Sequence, residues 1–195
     1  MPKTTITRKT HETDVTLKLD LFGNGKSNID TGIGFFDHML TLLAFHSGFD
    51  LDVKCSGDLQ VDGHHTVEDV GIVLGQAFKQ HLPADRAIVR YGLAYLPMDE
   101  SLARAVVDIS GRPALVFLAK FSQPKVGDFE TELVQEFFQA FVNHSFINLH
   151  LQLLYGENAH HQIESLFKAT ARALQQALQP SVGRKGAASS KGVLV

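Results

Sequence analysis

Hydrophobic and polar positions alternate along several stretches of the chain and recur at three- and four-residue spacings along others. Alternation predicts one or two strands over about 5–22, a hairpin-like pair of strands over 51–61, and strands over 90–96, 103–109, 114–119 and 147–154. Helical spacing predicts helices over about 38–46, 64–82, 132–144 and 160–179. A turn is predicted over 23–29, and Asp37 is placed to cap the first helix. Runs of strands beside helices, without strict βαβ alternation, favour an α+β fold.

Two segments share the pattern His-His-x-x-Glu, HHTVE at His64–Glu68 and HHQIE at His160–Glu164. Each begins a predicted helix, in which residues four apart lie on one face with Cβ atoms about 5–6 Å apart. The first histidine and the glutamate of each segment can therefore bind one metal ion. The second histidine is rotated by about 100° around the helix and points elsewhere, so it can reach another ion.

The two pentads belong to a longer internal repeat. An ungapped match of 37–53 with 135–151, followed by a two-residue gap, brings the pentads into register. This match aligns His38 with Glu136 and His46 with His144, which are ligand-type residues. Further upstream, Glu12 matches Glu100. A unit of about 90 residues is too long for a solenoid repeat. We therefore expect two fused copies of one β-rich, helical unit, with helices packed on one face of a mixed or antiparallel sheet.

Together the repeats offer eight ligand-type residues for two ions. Pseudo-symmetry predicts two sites, one of His64, Glu68, Glu136 and His161, the other of His38, His65, His160 and Glu164. Four protein ligands on an octahedral ion leave two positions open, as a catalytic site needs. Imidazole and carboxylate ligands without cysteine favour manganese over zinc, which prefers four ligands.

Other interpretations of the pentads remain open at this stage. The histidines could cap or pack the helix N-termini, or they could bind a purely structural metal. The residue order excludes the zinc-protease motif HExxH and its inverted form. Because both pentads occupy matching repeat positions, we favour the catalytic metal site.

Composition narrows the class of protein. Hydrophobic residues make up 44% of the chain and charged residues 20%, as in soluble globular proteins. A formal net charge of −3 argues against a nucleic-acid partner. The lone Cys55 excludes an internal disulfide and fits a reducing cytoplasm, our predicted location. Neither a long apolar run nor a signal-peptide pattern is present, so we expect no membrane partner.

In combination, seven segments closely resemble the imidazoleglycerol-phosphate dehydratase family: RKTHETDV, GIGFFDHML, DGHHTVEDVGIVLG, PMDESL, DISGRP, GENAHHQIESLFKATARAL and SSKGVL. The resemblance implies dehydration of D-erythro-imidazoleglycerol phosphate to imidazole acetol phosphate in histidine biosynthesis. The implied cofactor is Mn²⁺, two ions per subunit, which bind the substrate as an imidazolate. The resemblance also implies a homo-oligomer of 24 subunits with active sites between subunits, built from one domain over 1–195 with repeats at about 5–85 and 90–180.

The resemblance carries roles to individual residues. It implies metal ligands at His38, His64, His65, Glu68, Glu136, His160, His161 and Glu164, although many members have histidine where this chain has Glu136. It implies substrate contacts, chiefly to the phosphate, and we expect these from Glu12, His46, Arg90, Arg112, Lys168, Ser190 and Lys191. Catalysis is assigned to Glu12, as the candidate for proton transfer, and to His38, Glu68 and Glu164.

Several of these residues have simpler interpretations. Arg90 and Arg112 could be ordinary exposed arginines. Lys168 lies four residues beyond Glu164 and could be only its ion-pair partner. The tail 181–195 could be a disordered terminus or an anion-binding segment. The alternative functions are a dinuclear metal-dependent phosphatase and a protein in which metals only hold subunits together.

Overall fold

The computed structural model describes residues 3–82 and 88–181 of the chain. The first half contains β1 (Thr4–Lys9), β2 (Thr13–Asp20), β3 (Ser27–Asp30), α1 (Gly34–Ser47), β4 (Asp50–Gly57) and α2 (His64–His81). The second half contains β5 (Tyr91–Met98), β6 (Ser101–Asp108), β7 (Ala114–Leu118), β8 (Lys125–Val126), β9 (Phe129–Glu130), α3 (Leu133–Ser145), β10 (Asn148–Tyr155) and α4 (Ala159–Ala177). No helix within the described ranges has both the length and the apolar composition needed to cross a membrane.

Two four-stranded sheets have the same topology. Their strand orders are β1-β2-β4-β3 and β5-β6-β10-β7. In each sheet the first two pairings are antiparallel and the last is parallel. The registers also agree, because β2 pairs Leu17 with Val53 while β6 pairs Ala105 with Leu151, the residues that the repeat match makes equivalent. The fold therefore contains the internal duplication that the sequence predicts.

Each sheet buries one face under the helices of its own repeat. Along β2, Val15, Leu17 and Leu19 are fully buried, and the intervening residues point to the other side. The helix α2 covers β1, β2 and β4, and α4 covers β5, β6 and β10. Helices of the two repeats then meet each other, α1 against α4 and α2 against α3. The predicted α+β class, with helices on one face of a mixed sheet, is confirmed, with one such sheet in each repeat.

The start of the first helix and the segment before it differ from the prediction. Ser27–Asp30 forms β3 within the predicted turn, because it pairs in parallel with β4 after a turn at Gly25, whose φ is +79°. The helix α1 begins at Gly34, and Asp37 does not cap it. Instead, the Asp37 carboxylate accepts hydrogen bonds from the backbone N–H and the hydroxyl of Thr31 and ties the preceding loop to the first turn.

The predicted pair of strands over 51–61 is a single strand. β4 pairs with β2 on one edge and with β3 on the other. Both edges are therefore occupied, and no returning strand can add to β4. The chain turns instead after Gly57, where the Val61 N–H donates to the Asp58 carbonyl oxygen.

Two glycines allow α2 and α3 to pack closely. A Cβ added at Gly71 would lie 2.8 Å from the Phe137 carbonyl oxygen, and one added at Gly75 would lie 2.6 Å from that of Phe141. Both neighbours are backbone atoms, which cannot rotate away. The contact between the helices therefore depends on glycine at these positions.

We predict that Gly75→Ala destabilises the fold by about 1–3 kcal/mol through overpacking. Alanine favours helix by about 1 kcal/mol, so a stabilised protein would show that the α2–α3 contact adapts easily. Chemical denaturation measures the difference. The control is Gly34→Ala at the start of α1, where an added Cβ meets nothing within 4 Å and stability should not fall.

Candidate metal centre

Three ligand-type side chains meet where α1 and α4 begin. His38 Nε2 lies 3.4 Å from Glu164 Oε2, and His160 Nε2 lies 3.1 Å from the same oxygen. One ligand atom from each residue lies within 4.8 Å of the others. Among residues 3–82 and 88–181, these three form the only group of potential metal ligands this close together. Two imidazoles and a carboxylate suit a divalent ion such as Mn²⁺.

Capping at the start of α4 places its histidine pair. The Asn158 side chain accepts hydrogen bonds from the backbone N–H groups of His160 and His161, so the helix begins at a fixed position. Asp62 makes the corresponding contact in the first repeat, where it accepts from the His64 N–H at 2.8 Å. Both pentads thus follow a polar side chain that fixes the first turn.

The Glu164 carboxylate is buried and uses its two oxygens differently. Oε2 faces His38 and His160, whereas Oε1 forms an ion pair with Lys168. Burial acts to raise the pKa of Glu164, but the hydrogen bond and charge of Lys168, with smaller effects from the two histidines, outweigh it and lower that pKa. The carboxylate therefore remains ionised, as a metal ligand must be.

The second histidine of each pentad points away from the first, as the spacing predicts. His161 Nδ1 lies 2.7 Å from Glu100, and the His160 and His161 rings are inclined by 79°. His65 Nδ1 lies 3.1 Å from Asp58, and its Nε2 lies 3.7 Å from Glu12. Hydrogen bonds to Asp58 and Glu100 raise the pKa values of His65 and His161, respectively. Each second histidine therefore lies in an acidic environment.

Glu100 belongs to this environment, although no role was predicted for it. The backbone N–H of Asn158 does most to hold the pKa of Glu100 far below its usual range, followed by His161 and the Glu157 N–H. Its alignment with Glu12 in the repeat was the signal that could have identified it. Asp58, in the turn after β4, had no such signal.

Three basic side chains lie beyond His38, His160 and Glu164 along the two helices: His46 on α1, and Lys168 and Arg172 on α4. α1 and α4 lie side by side in the same direction, since the start of α1 meets the start of α4 and Gly48 lies beside Gln175. Burial first, and then the charges of Lys168 and Arg172, lower the pKa of His46. Arg172, another residue without a predicted role, lies four residues beyond Lys168 on the same face. These basic groups can attract an anionic group beside the three candidate metal ligands.

Other predicted substrate residues lie elsewhere. Arg90 binds Asp108 through its Nε at 2.6 Å and through a second guanidinium nitrogen at 3.1 Å. Its backbone N–H donates to the Ala177 carbonyl at the far end of α4, roughly 25 Å from His160 at 1.5 Å per residue. Arg112 is exposed in the turn after β6. Ser190 and Lys191 lie outside the described residues.

The remaining predicted ligands do not form a second tight group in one chain. His64 and Glu68 lie at the start of α2, and Glu136 lies in the first turn of α3. Within the described ranges, the structure brings together only three of the four residues assigned to one site, without His65. The eight-ligand arrangement therefore stays a prediction.

Comparisons with known proteins identify the family. The family model described as imidazoleglycerol-phosphate dehydratase matches residues 31–174. The enzyme of that name from Acetivibrio thermocellus is 56% identical over 189 residues, covering 97% of each chain. The enzyme of that name from Oceanobacillus iheyensis is 54% identical over 194 residues, covering 100% of each.

Solved structures agree with this match. The crystal structure of imidazoleglycerol-phosphate dehydratase from Staphylococcus aureus has a TM-score of 0.83 and 46% identity, covering 91% of this chain and 98% of that one. The Pyrococcus furiosus structure, in complex with (S)-C348, has a TM-score of 0.83 and 35% identity, covering 97% and 100%. The chain therefore belongs to the imidazoleglycerol-phosphate dehydratase family and is a hydro-lyase of histidine biosynthesis.

Proposed function

We propose that this protein dehydrates D-erythro-imidazoleglycerol phosphate to imidazole acetol phosphate with two Mn²⁺ ions per subunit. The observation that carries the proposal is the convergence of His38, His160 and Glu164 in a member of this family. The donor atoms suit Mn²⁺, and the ionised Glu164 oxygen directed at both histidines fits a divalent cation. Bound ions would act as Lewis acids that stabilise negative charge on the substrate.

The proposed ligand sets follow the repeat. His38, His160 and Glu164 would hold one ion with His65, and the equivalent residues Glu136, His64 and Glu68 would hold the other with His161. α1 brings His38 to the pentad on α4, and α3 packs against α2, which carries the other pentad. The position of Glu136 in the first turn of α3 corresponds to that of His38 in α1.

The chain's other polar residues would bind and orient the substrate. His46 and Lys168 lie beside the cluster and would attract the phosphate, together with Arg90, Arg112, Ser190 and Lys191. Glu12 is exposed and lies 3.7 Å from His65, so its carboxylate can exchange a proton with a substrate held there. We assign proton transfer to Glu12.

We further propose a 24-subunit assembly with active sites between subunits, in which 1–195 forms one domain and 181–195 helps bind phosphate. Its support is the distribution of the predicted residues over separate parts of the chain, with Arg90 far from His160. The outer face of the second sheet provides a surface for packing, because Tyr91, Leu93 and Tyr95 are all at least 50% exposed there.

The first test measures metal and product together. Purified protein stripped of metal should regain activity as it binds about two Mn²⁺ per chain and should release imidazole acetol phosphate. Elemental analysis and product detection measure the two quantities. Release of inorganic phosphate would indicate a phosphatase, and metal uptake without turnover would indicate a purely structural role. One tightly bound zinc per chain would contradict the dinuclear manganese site.

Glu136 provides a test of the repeat-derived ligand set. Glu136→Gln should lower Mn²⁺ content and activity because an amide is a weaker ligand than a carboxylate. Glu136→His should retain much of both, since histidine occupies the equivalent position 38. Glutamine and glutamate have similar helix propensity, so damage to α3 should not confuse the comparison. Equal metal content and rate in Glu136→Gln would show that Glu136 is not a ligand.

Glu12→Gln tests proton transfer separately from metal binding. The amide keeps the size of the side chain but cannot titrate, so kcat should fall by about 10²–10⁴-fold. Metal content and oligomer size should stay unchanged, because Glu12 is assigned to substrate and not to metal. His64→Ala is the contrasting variant and should lose metal. Loss of manganese or of the assembly in Glu12→Gln would contradict the catalytic assignment.

A further inference from the structure

The second repeat contains a hairpin that the first repeat lacks. β3 ends at Asp30 and α1 follows at Gly34, whereas β8 and β9 lie between β7 and α3. The hairpin is closed by a 2.6 Å ion pair between Lys125 and Glu130. The segment leading to it is fastened to α4, because the Ser122 N–H donates to the Gln162 side chain at 3.0 Å. An added element therefore lies beside the start of α4.

Aromatic contacts connect this hairpin to His160, one of the three candidate metal ligands. Phe129 of β9 is 1% exposed, and its ring centroid lies 5.4 Å from that of Phe35. Phe35 in turn meets the His160 imidazole edge-on, with centroids 5.0 Å apart and planes inclined by 73°. Such geometry is favourable between rings and restricts rotation about the histidine's side-chain bonds. It therefore fixes the orientation of the ring whose Nε2 faces Glu164.

The first repeat has no equivalent contact at its pentad. Extending the ungapped repeat match back by two residues aligns Phe35 with Leu133. Leu133 is aliphatic, and its Cδ1 lies 3.2 Å from a Cβ built at Gly63, just before His64. In the described part of the chain, His64 has an aromatic contact only with His65. The edge-on phenyl contact thus occurs at the pentad on α4, whose ligand atoms lie close to His38, and not at the pentad on α2.

We propose that Phe35, supported by Phe129, is a positioning residue that holds the His160 imidazole in its metal-binding orientation. This inference rests on the proposed Mn²⁺ function. A ligand held in place before binding loses less freedom when the ion arrives, so the affinity rises. In this role Phe35 acts through its contact with His160 and takes no part in the chemical step.

The test compares two neighbouring phenylalanines in the full-length protein. Phe35→Leu removes the aromatic edge beside His160 and keeps an apolar side chain of similar size. Phe36→Leu is the matched control, because Phe36 is fully buried, stacks on Phe129 and meets Phe137 edge-on, and has no ring contact with His160. Each metal-stripped protein is titrated with Mn²⁺, and free ion is measured by electron paramagnetic resonance. Denaturation monitors stability in parallel, and Phe35→Met replaces Phe35→Leu if the latter does not fold.

Phe35→Leu should bind Mn²⁺ about tenfold more weakly at one class of site, the scale of effect for groups that orient a ligand. Phe36→Leu should lose more stability but retain wild-type affinity. Unchanged affinity in Phe35→Leu, or an equal loss in both variants, would overturn this inference and leave the proposed function standing. Failure of the wild type to bind Mn²⁺ would overturn both.

Discussion

The packing of α1 against α4 is the contact on which the cluster of candidate metal ligands depends. Neither repeat can build the cluster alone, since His38 comes from the first and His160 and Glu164 from the second. The helices lie side by side in the same direction, so the first turn of one meets the first turn of the other. Two sheets with the same strand order hold the pairs α1–α4 and α2–α3 together. The duplication thus creates the interface that a single unit would lack.

Burial of the Glu164 carboxylate is compatible with this arrangement because its charge is compensated. A buried carboxylate without a partner would be protonated. Lys168, one turn further along α4, pairs with Oε1 and leaves Oε2 directed at the two histidines. Lys168 therefore does form the ion pair, and through it keeps the candidate ligand Glu164 ionised. The neighbouring Arg172 and His46 can still attract an anion.

Features governed by local spacing were the ones that the sequence predicted well. The four helices, the approach of His160 to Glu164 and the divergence of His161 all follow from helical periodicity. The repeat alignment predicted the equivalence of the halves, which the matching registers confirm. In contrast, β3 exists only because β4 offers it an edge, and this pairing is tertiary information.

Contacts and distances between separate elements could not be predicted from the sequence. The pairing of Asp58 with His65 depends on how the turn after β4 lies over the start of α2. The separation of Arg90 from His160 depends on β5 beginning at the C-terminal end of α4. Periodicity describes one element at a time, so it gives no distance between elements. The family resemblance assigned Arg90 and His160 to one active site, but it could not show that one chain places them apart.

Divergence between the two sheets gives the duplicated fold two different outer surfaces. Leu93 and Tyr95 on β5 occupy the positions of Thr5 and Thr7 on β1, and all four are exposed. Water solvates the threonine face well, whereas the aromatic and aliphatic face is stabilised by burial. In the proposed assembly, the aromatic and aliphatic face would be covered and the polar face would remain in solvent. Under the proposed function, this asymmetry would bring ligands from separate parts of different chains to a common site.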